Sequence, residues 1–195
     1  MTGSVPQIKI RKLPAAKVMI ISSSWHLDIC NDLVAGAQRA LEKAAVATVK
    51  VQYVPGSFEI PLAAQFAFEA GFDAVVAVGL VLKGETPHFD YVCQGVTQGV
   101  LDVSLKYGKP IGFGVLMCND LDQAIARCGR EGSKEDKGYD SAIAVIELLH
   151  LKANKSLRTT ASHKFYSFGN LCYNLGIENT WHNKVRIQLV RCNTR

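Results

Sequence analysis

The stretch DAVVAVGLVL, Asp73 to Leu82, is apolar after its first residue and rich in valine. A strand with that pattern has no solvent-facing side. It must be covered on both faces, which is the condition of a strand inside a parallel sheet flanked by helices. A chain built around it has to alternate strands with crossover helices. The flanking sequence does so. KVMIISSSW (17–25) reads as a strand, and Leu27, Cys30, Val34, Ala37 and Leu41 then fall at helical spacing from His26 to about Lys43. VATVKVQYVPG (46–56) holds a second strand ended by Pro55-Gly56. Pro61 suits the first turn of a helix that closes at Gly71. After Leu82, one helical face is marked by Phe89, Val92, Cys93, Val96, Val100, Val103 and Tyr107, closed by Gly108. PIGFGVLMC (110–118) is a fourth strand, and Asn119-Asp120 caps a short helix carrying Leu121, Ala124, Ile125 and Cys128. EGSKEDKGYD (131–140) reads as a polar loop or first turn, and SAIAVIELLHLKAN (141–154) as a last helix.

The expected fold is α/β, a flavodoxin-like doubly wound sheet of four parallel strands in order 2-1-3-4 with helices on both faces. Its domain spans residues 15–155, after an N-terminal arm over 1–14. Residues 156–195 break the pattern, with scattered aromatics and little periodicity, and read as an atypical tail, disordered or non-native. The tail also carries the charge. Arg158, Lys164, Lys184, Arg186, Arg191 and Arg195 stand there against Glu178 alone, which accounts for the whole net charge of +5. The domain itself is neutral, so no nucleic-acid surface is expected. No apolar run reaches the ~18 residues of a membrane span, and no apolar signal segment follows the N-terminus. The cytoplasm is the expected location, with no membrane partner. The six cysteines form no C-x-x-C pair and no zinc-like cluster, so free thiols and no metal are expected.

Ligands in such sheets bind beyond the carboxyl ends of the strands. Four segments lie there: SSWH, PGSFE, LKGETPH and the end of GFGVLMCN. Trp25 could stack on a flat heterocycle or serve as rim packing. Ser57 and Glu59 flank Phe58, where the carboxylate suits either sugar-like hydroxyls or the helix dipole. Gly84 allows a tight turn and a close approach, the N–H groups around Glu85 and Thr86 suit a phosphate at a helix start, and the Thr86 hydroxyl could add a bond. His88 is the side chain there best able to move protons near neutral pH. Phe113 alternates with Ile111 and Val115, the pattern of core packing. Arg127 lies off its helix's apolar face and could pair with a phosphate, as could Lys137. Gly95 and Gly99, one helical turn apart, call for close packing within the chain or between subunits.

VPGSFEIP, GLVLKGETPHFDYV, PIGFGVLMCNDLDQAIARCG and EDKG together resemble, in order and spacing, the motifs of the 6,7-dimethyl-8-ribityllumazine synthase family, over about residues 15–155. The resemblance implies a transferase of riboflavin biosynthesis. It condenses 5-amino-6-(D-ribitylamino)uracil with 3,4-dihydroxy-2-butanone 4-phosphate through a Schiff base, loss of phosphate, ring closure and loss of water, using no cofactor or metal. It implies Trp25 stacked on the pyrimidine, and Ser57, Phe58 and Glu59 along the ribityl chain. Leu80, Val81 and Leu82 supply a backbone edge, Glu85 and Thr86 the phosphate-side loop, and His88 the proton transfer. Phe113 and Arg127 come from a neighbouring subunit, Arg127 for the phosphate with Lys137 assisting. The implied assembly is a homopentamer, with decamer or sixty-subunit icosahedral shell as further forms, and riboflavin synthase is a candidate partner. A non-catalytic lumazine- or riboflavin-binding shell protein on the same scaffold is the alternative. Two departures stand out: Glu85 puts an acid beside the implied phosphate, and Trp25 replaces the phenylalanine common at its position.

Overall fold

The computed structural model describes residues 10–154 and, beyond them, the backbone of three short strands. Residues 1–153 and 154–195 form separate compact units. In the first unit the chain runs β1 (Lys17–Ser23), α1 (Leu27–Lys43), β2 (Thr48–Val54), a 3-10 turn (Ser57–Glu59), α2 (Ile60–Glu69), β3 (Ala74–Leu82), α3 (His88–Tyr107), β4 (Ile111–Cys118), α4 (Leu121–Ile125) and α5 (Lys137–Ala153). The sheet is parallel throughout, in the order β2-β1-β3-β4. The sequence reading of 156–195 as a disordered or non-native tail falls mostly outside the described residues. The strands described there, Phe165–Phe168, Leu171–Asn174 and Gln188–Val190, make an antiparallel sheet in chain order.

The all-apolar strand occupies the buried position its sequence requires. Along β3, Ala74, Val76, Val78 and Leu80 pack with α1 and α5, beside Leu33, Ala37, Val145 and Ile146. Val75 and Ala77 pack on the opposite face with α2 and α3, beside Ile60, Phe68, Val96 and Val100. The period-two alternation thus feeds two cores from one strand. Helix ends follow the chemistry of their caps. Gly108 takes a left-handed φ of 56° after α3, where a side chain would strain the backbone. The Asp120 side chain accepts from Gln123 N at 2.8 Å and starts α4.

Gly95 and Gly99 serve packing inside the chain. A Cβ at Gly95 would stand 2.5 Å from the Phe58 ring, and one at Gly99 would stand 2.7 Å from Pro61. These two glycines let α3 close onto the 3-10 turn and the start of α2. The last helix begins at Lys137, before the Ser141 that sequence periodicity marks. Asp136 Oδ1 accepts from Tyr139 N at 2.9 Å and caps it, and Gly138 lies against the Leu33 backbone of α1.

Candidate active site

The carboxyl ends of the strands are staggered, and the stagger makes the site. β1 and β3 stay paired only as far as Ser22 and Val78, whereas β3 and β4 remain paired to Leu82 and Cys118. β3 therefore overshoots β1 from Gly79 onward. Lys83 N–H donates to the Cys118 carbonyl at 2.9 Å, so odd-numbered residues there turn their main chain toward β4. Leu80 and Leu82 turn theirs toward the open side. Leu80 N–H finds only the Ser23 hydroxyl, at 3.4 Å.

A cavity of about 790 Å³ fills the space beside this edge, within the ~300–1,000 Å³ range of small-molecule sites. Its walls bring together nine of the residues singled out in the sequence: Trp25, Ser57, Phe58, Glu59, Leu80, Val81, Leu82, Thr86 and His88. Trp25 and Phe58 are large apolar rings left 69% and 59% exposed. That exposure marks them as surfaces for a partner rather than as core. Ser57 is buried, and its Oγ has no hydrogen-bond partner, a state that calls for a ligand or a cost. The Glu59 carboxylate caps its own turn by accepting from Gly56 N at 2.9 Å. Gly84 also lines the cavity and has open space where a Cβ would stand. Among the described residues nothing packs where that side chain would stand. His88 opens α3, so the helix's positive dipole end directly follows the Gly84–Thr86 loop along the chain.

His26, Tyr91 and Val92 also line the cavity; the sequence reading assigns none of them a place in the site, and marks Val92 only as part of a helical face. Tyr91 and Val92 lie three and four residues after His88 on one helix, so helical spacing from the histidine was the available signal. Nothing local signals His26, which adopts a left-handed φ of 54° in the turn after Trp25.

Glu85, Phe113, Arg127 and Lys137 do not line the cavity. Glu85 is exposed. Phe113 sits on the edge strand β4 and is 42% exposed, so its alternation with Ile111 and Val115 does not make it core. Arg127 follows α4; its Nη1 donates to the Gln123 carbonyl at 2.9 Å, and its own carbonyl accepts from Lys137 N at 3.0 Å. Lys137 Nζ lies 2.5 Å from Glu135 and 3.2 Å from Asp140. The hydrogen bond to Glu135 holds the ammonium above its ordinary pKa, and the same contact pulls the Glu135 carboxyl below its own. Among the described residues no cluster of histidine, cysteine and carboxylate is suited to a metal, and no helix is long and apolar enough to cross a membrane. Cys30, Cys93, Cys118 and Cys128 are free thiols.

The family model for 6,7-dimethyl-8-ribityllumazine synthase matches residues 15–153. The protein of that name from Streptomyces coelicolor is 47% identical over 141 residues, 72% of this chain and 88% of its own. Those from Nocardioides sp. and Paenarthrobacter aurescens are 48% identical over 145 residues and 51% identical over 130, covering 74% and 67% of this chain and 89% and 80% of their own. The match spans every wall of the cavity together with Phe113, Arg127 and Lys137, and leaves residues 154–195 outside it. By sequence and by sheet, the chain belongs to the 6,7-dimethyl-8-ribityllumazine synthase family, transferases of riboflavin biosynthesis.

Proposed function

We propose that the cavity holds 5-amino-6-(D-ribitylamino)uracil and 3,4-dihydroxy-2-butanone 4-phosphate side by side and yields 6,7-dimethyl-8-ribityllumazine, phosphate and water. The exposed Trp25 ring stacks on the pyrimidine face. The main-chain groups of Leu80 and Leu82 pair with the heterocycle's polar edge, as a further strand would, and Val81 keeps that edge in register. Ser57 gives its unpartnered hydroxyl to the ribityl chain, beside Phe58 and the turn held by Glu59. Gly84 and Thr86, at the amino end of α3, receive the phosphate. The exposed Glu85 keeps its carboxylate out of the cavity.

His88 takes up and returns protons as the amine attacks the ketone and the carbinolamine loses water to give the Schiff base. Phosphate is then eliminated to leave a new carbonyl, and the ribitylamino nitrogen closes the ring on it with loss of a second water. Holding two reactants in one geometry supplies up to roughly 7–11 kcal/mol of the barrier, so positioning carries much of the rate. Arg127 neutralises the leaving phosphate, and Lys137 assists once it exchanges Glu135 for that anion. The reaction takes place in the cytoplasm.

The observation that carries this reading is the division of the residues. The residues assigned to the heterocycle, the ribityl chain and proton transfer line one cavity of one chain, while Phe113, exposed on the edge strand, and Arg127, half-buried after α4, lie outside it. A neighbouring subunit completes the site, and a closed ring, at least a pentamer, gives every copy such a neighbour. Mixing His88→Ala and Arg127→Ala subunits tests this. Reassembled mixtures are expected to exceed the activity of either parent, because some interfaces regain both residues. A mixture no more active than its parents, or a fully active monomer in sedimentation, refutes the shared site.

A further inference from the structure

Beneath the cavity lies a buried polar set of which these roles use Ser57 alone. Among the described residues the buried polar side chains are Ser22, Ser23, Ser57 and Ser141, and the first three gather at the carboxyl end of β1. The Oγ atoms of Ser23 and Ser57 come within 2.7 and 3.0 Å of the position a Cβ at Gly79 would take, so the missing side chain makes room for them. Cys30, fully buried in α1, donates through Sγ to the Trp25 carbonyl at 3.2 Å and lies 3.5 Å from Ser23 Oγ. Ser23 Oγ in turn accepts from Leu80 N–H at 3.4 Å. One line of contacts thus runs from the main chain of Trp25, through Cys30 and Ser23, to the open edge of β3.

That line joins two surfaces that need holding. The Trp25 turn contains His26 in the left-handed region, a conformation that persists only where the surroundings impose it. The open edge of β3 has lost its partner strand at that height. We propose that Cys30 and Ser23 are positioning residues that set the gap between the Trp25 ring and the Leu80–Leu82 edge, and so the fit of the flat heterocycle between them; this rests on the substrate reading above. Neither residue touches the reacting atoms or the Gly84–Thr86 loop. Burial raises the Cys30 thiol above its ordinary pKa, so it stays protonated and able to donate at neutral pH. The consequence is selective: loss of the tether weakens the pyrimidinedione and leaves the phosphate side alone.

The test compares Cys30→Val, which keeps the volume and removes the donor, with Cys30→Ser, which keeps a donor, and with Ser23→Ala. Calorimetry measures binding of the ribitylaminouracil alone, inhibition by inorganic phosphate reports the other half of the site, and the thermal midpoint reports folding. Cys30→Val and Ser23→Ala are expected to weaken the uracil about fivefold, the effect of one neutral hydrogen bond. Phosphate inhibition should stay unchanged, and Cys30→Ser should recover the affinity. Unchanged uracil affinity, parallel weakening of both ligands, or a Cys30→Ser variant as weak as Cys30→Val overturns the proposal. Should Cys30→Val fail to fold, Ser23→Ala carries the same comparison. Wild-type protein that binds neither ligand contradicts the substrate reading itself rather than the tether.

Discussion

A methyl group added at Gly95 should damage the site more than the fold. The new Cβ would stand 2.5 Å from Phe58 Cε2 and 3.0 Å from its Cδ2, so the ring must move. Overpacking a core costs about 1–3 kcal/mol, and alanine in place of a helical glycine returns about 1 kcal/mol. The Phe58 ring is 59% exposed and lines the cavity, so it escapes by swinging into the substrate space. Gly95→Ala is therefore expected to change stability by less than about 1 kcal/mol, since the helix gain offsets a clash that the ring relieves. Its KM for the ribitylaminouracil should rise severalfold. Gly138→Ala is the contrast. Its Cβ would press on the carbonyl oxygen and Cα of Leu33, which are backbone atoms of a packed helix and cannot swing aside. It should cost about 3 kcal/mol, the upper end for overpacking. Chemical denaturation at one fixed protein concentration, with steady-state kinetics on the same samples, checks both. Equal destabilisation by the two variants, or a Gly95→Ala enzyme with unchanged KM, refutes the reasoning.

His88→Ala should slow turnover by about 10²–10⁴-fold, the usual contribution of one general acid–base group, and still form product. A folded, substrate-binding variant with no measurable rate contradicts the weight given to positioning. Arg127→Ala should raise KM for the phosphate substrate about tenfold to a hundredfold, the loss of one charge-assisted contact, while the affinity for ribitylaminouracil stays close to wild type. The Glu135–Lys137 pair gives a pH dependence of definite sign. The hydrogen bond from Lys137 lowers the Glu135 pKa in the folded chain. Its contribution is present above the ordinary carboxylate range and is lost as pH falls through the lowered value. The pair is about a third exposed, so the contribution is small, ~0.5 kcal/mol or less. A double-mutant cycle with Glu135→Gln and Lys137→Gln should show that coupling at pH 7 and none in strong acid; coupling that grows on acidification is the wrong sign.

Local pattern carried the sheet. The apolar run over 73–82, the alternation of strands with helical faces, and the punctuation at Gly71, Gly108 and Asp120 all reflect contacts or φ values close in sequence, and they place the strand order and most of the cavity wall. What local pattern could not carry depends on distant partners. α5 starts in the run read as loop or first turn, where Asp136 caps it locally, but the close approach of Gly138 to the Leu33 backbone across the core is nothing that EDKGYD reveals. Phe113 has the alternation of a core residue, yet β4 lies at the edge of the sheet, and alternation does not report whether a face is covered. The left-handed His26 and the Cys30–Ser23 contacts arise where three segments meet. Gly95 and Gly99 demanded a close neighbour, but only the folded chain shows it to be Phe58 and Pro61.

The most direct test of the account mixes the purified protein with 5-amino-6-(D-ribitylamino)uracil and 3,4-dihydroxy-2-butanone 4-phosphate and follows the absorbance of the lumazine product, with phosphate release measured in parallel. The account requires product and phosphate in equal amounts from the wild type, and a large loss of rate with Arg127→Ala. A well-folded, oligomeric wild type that binds the uracil and forms no lumazine contradicts it.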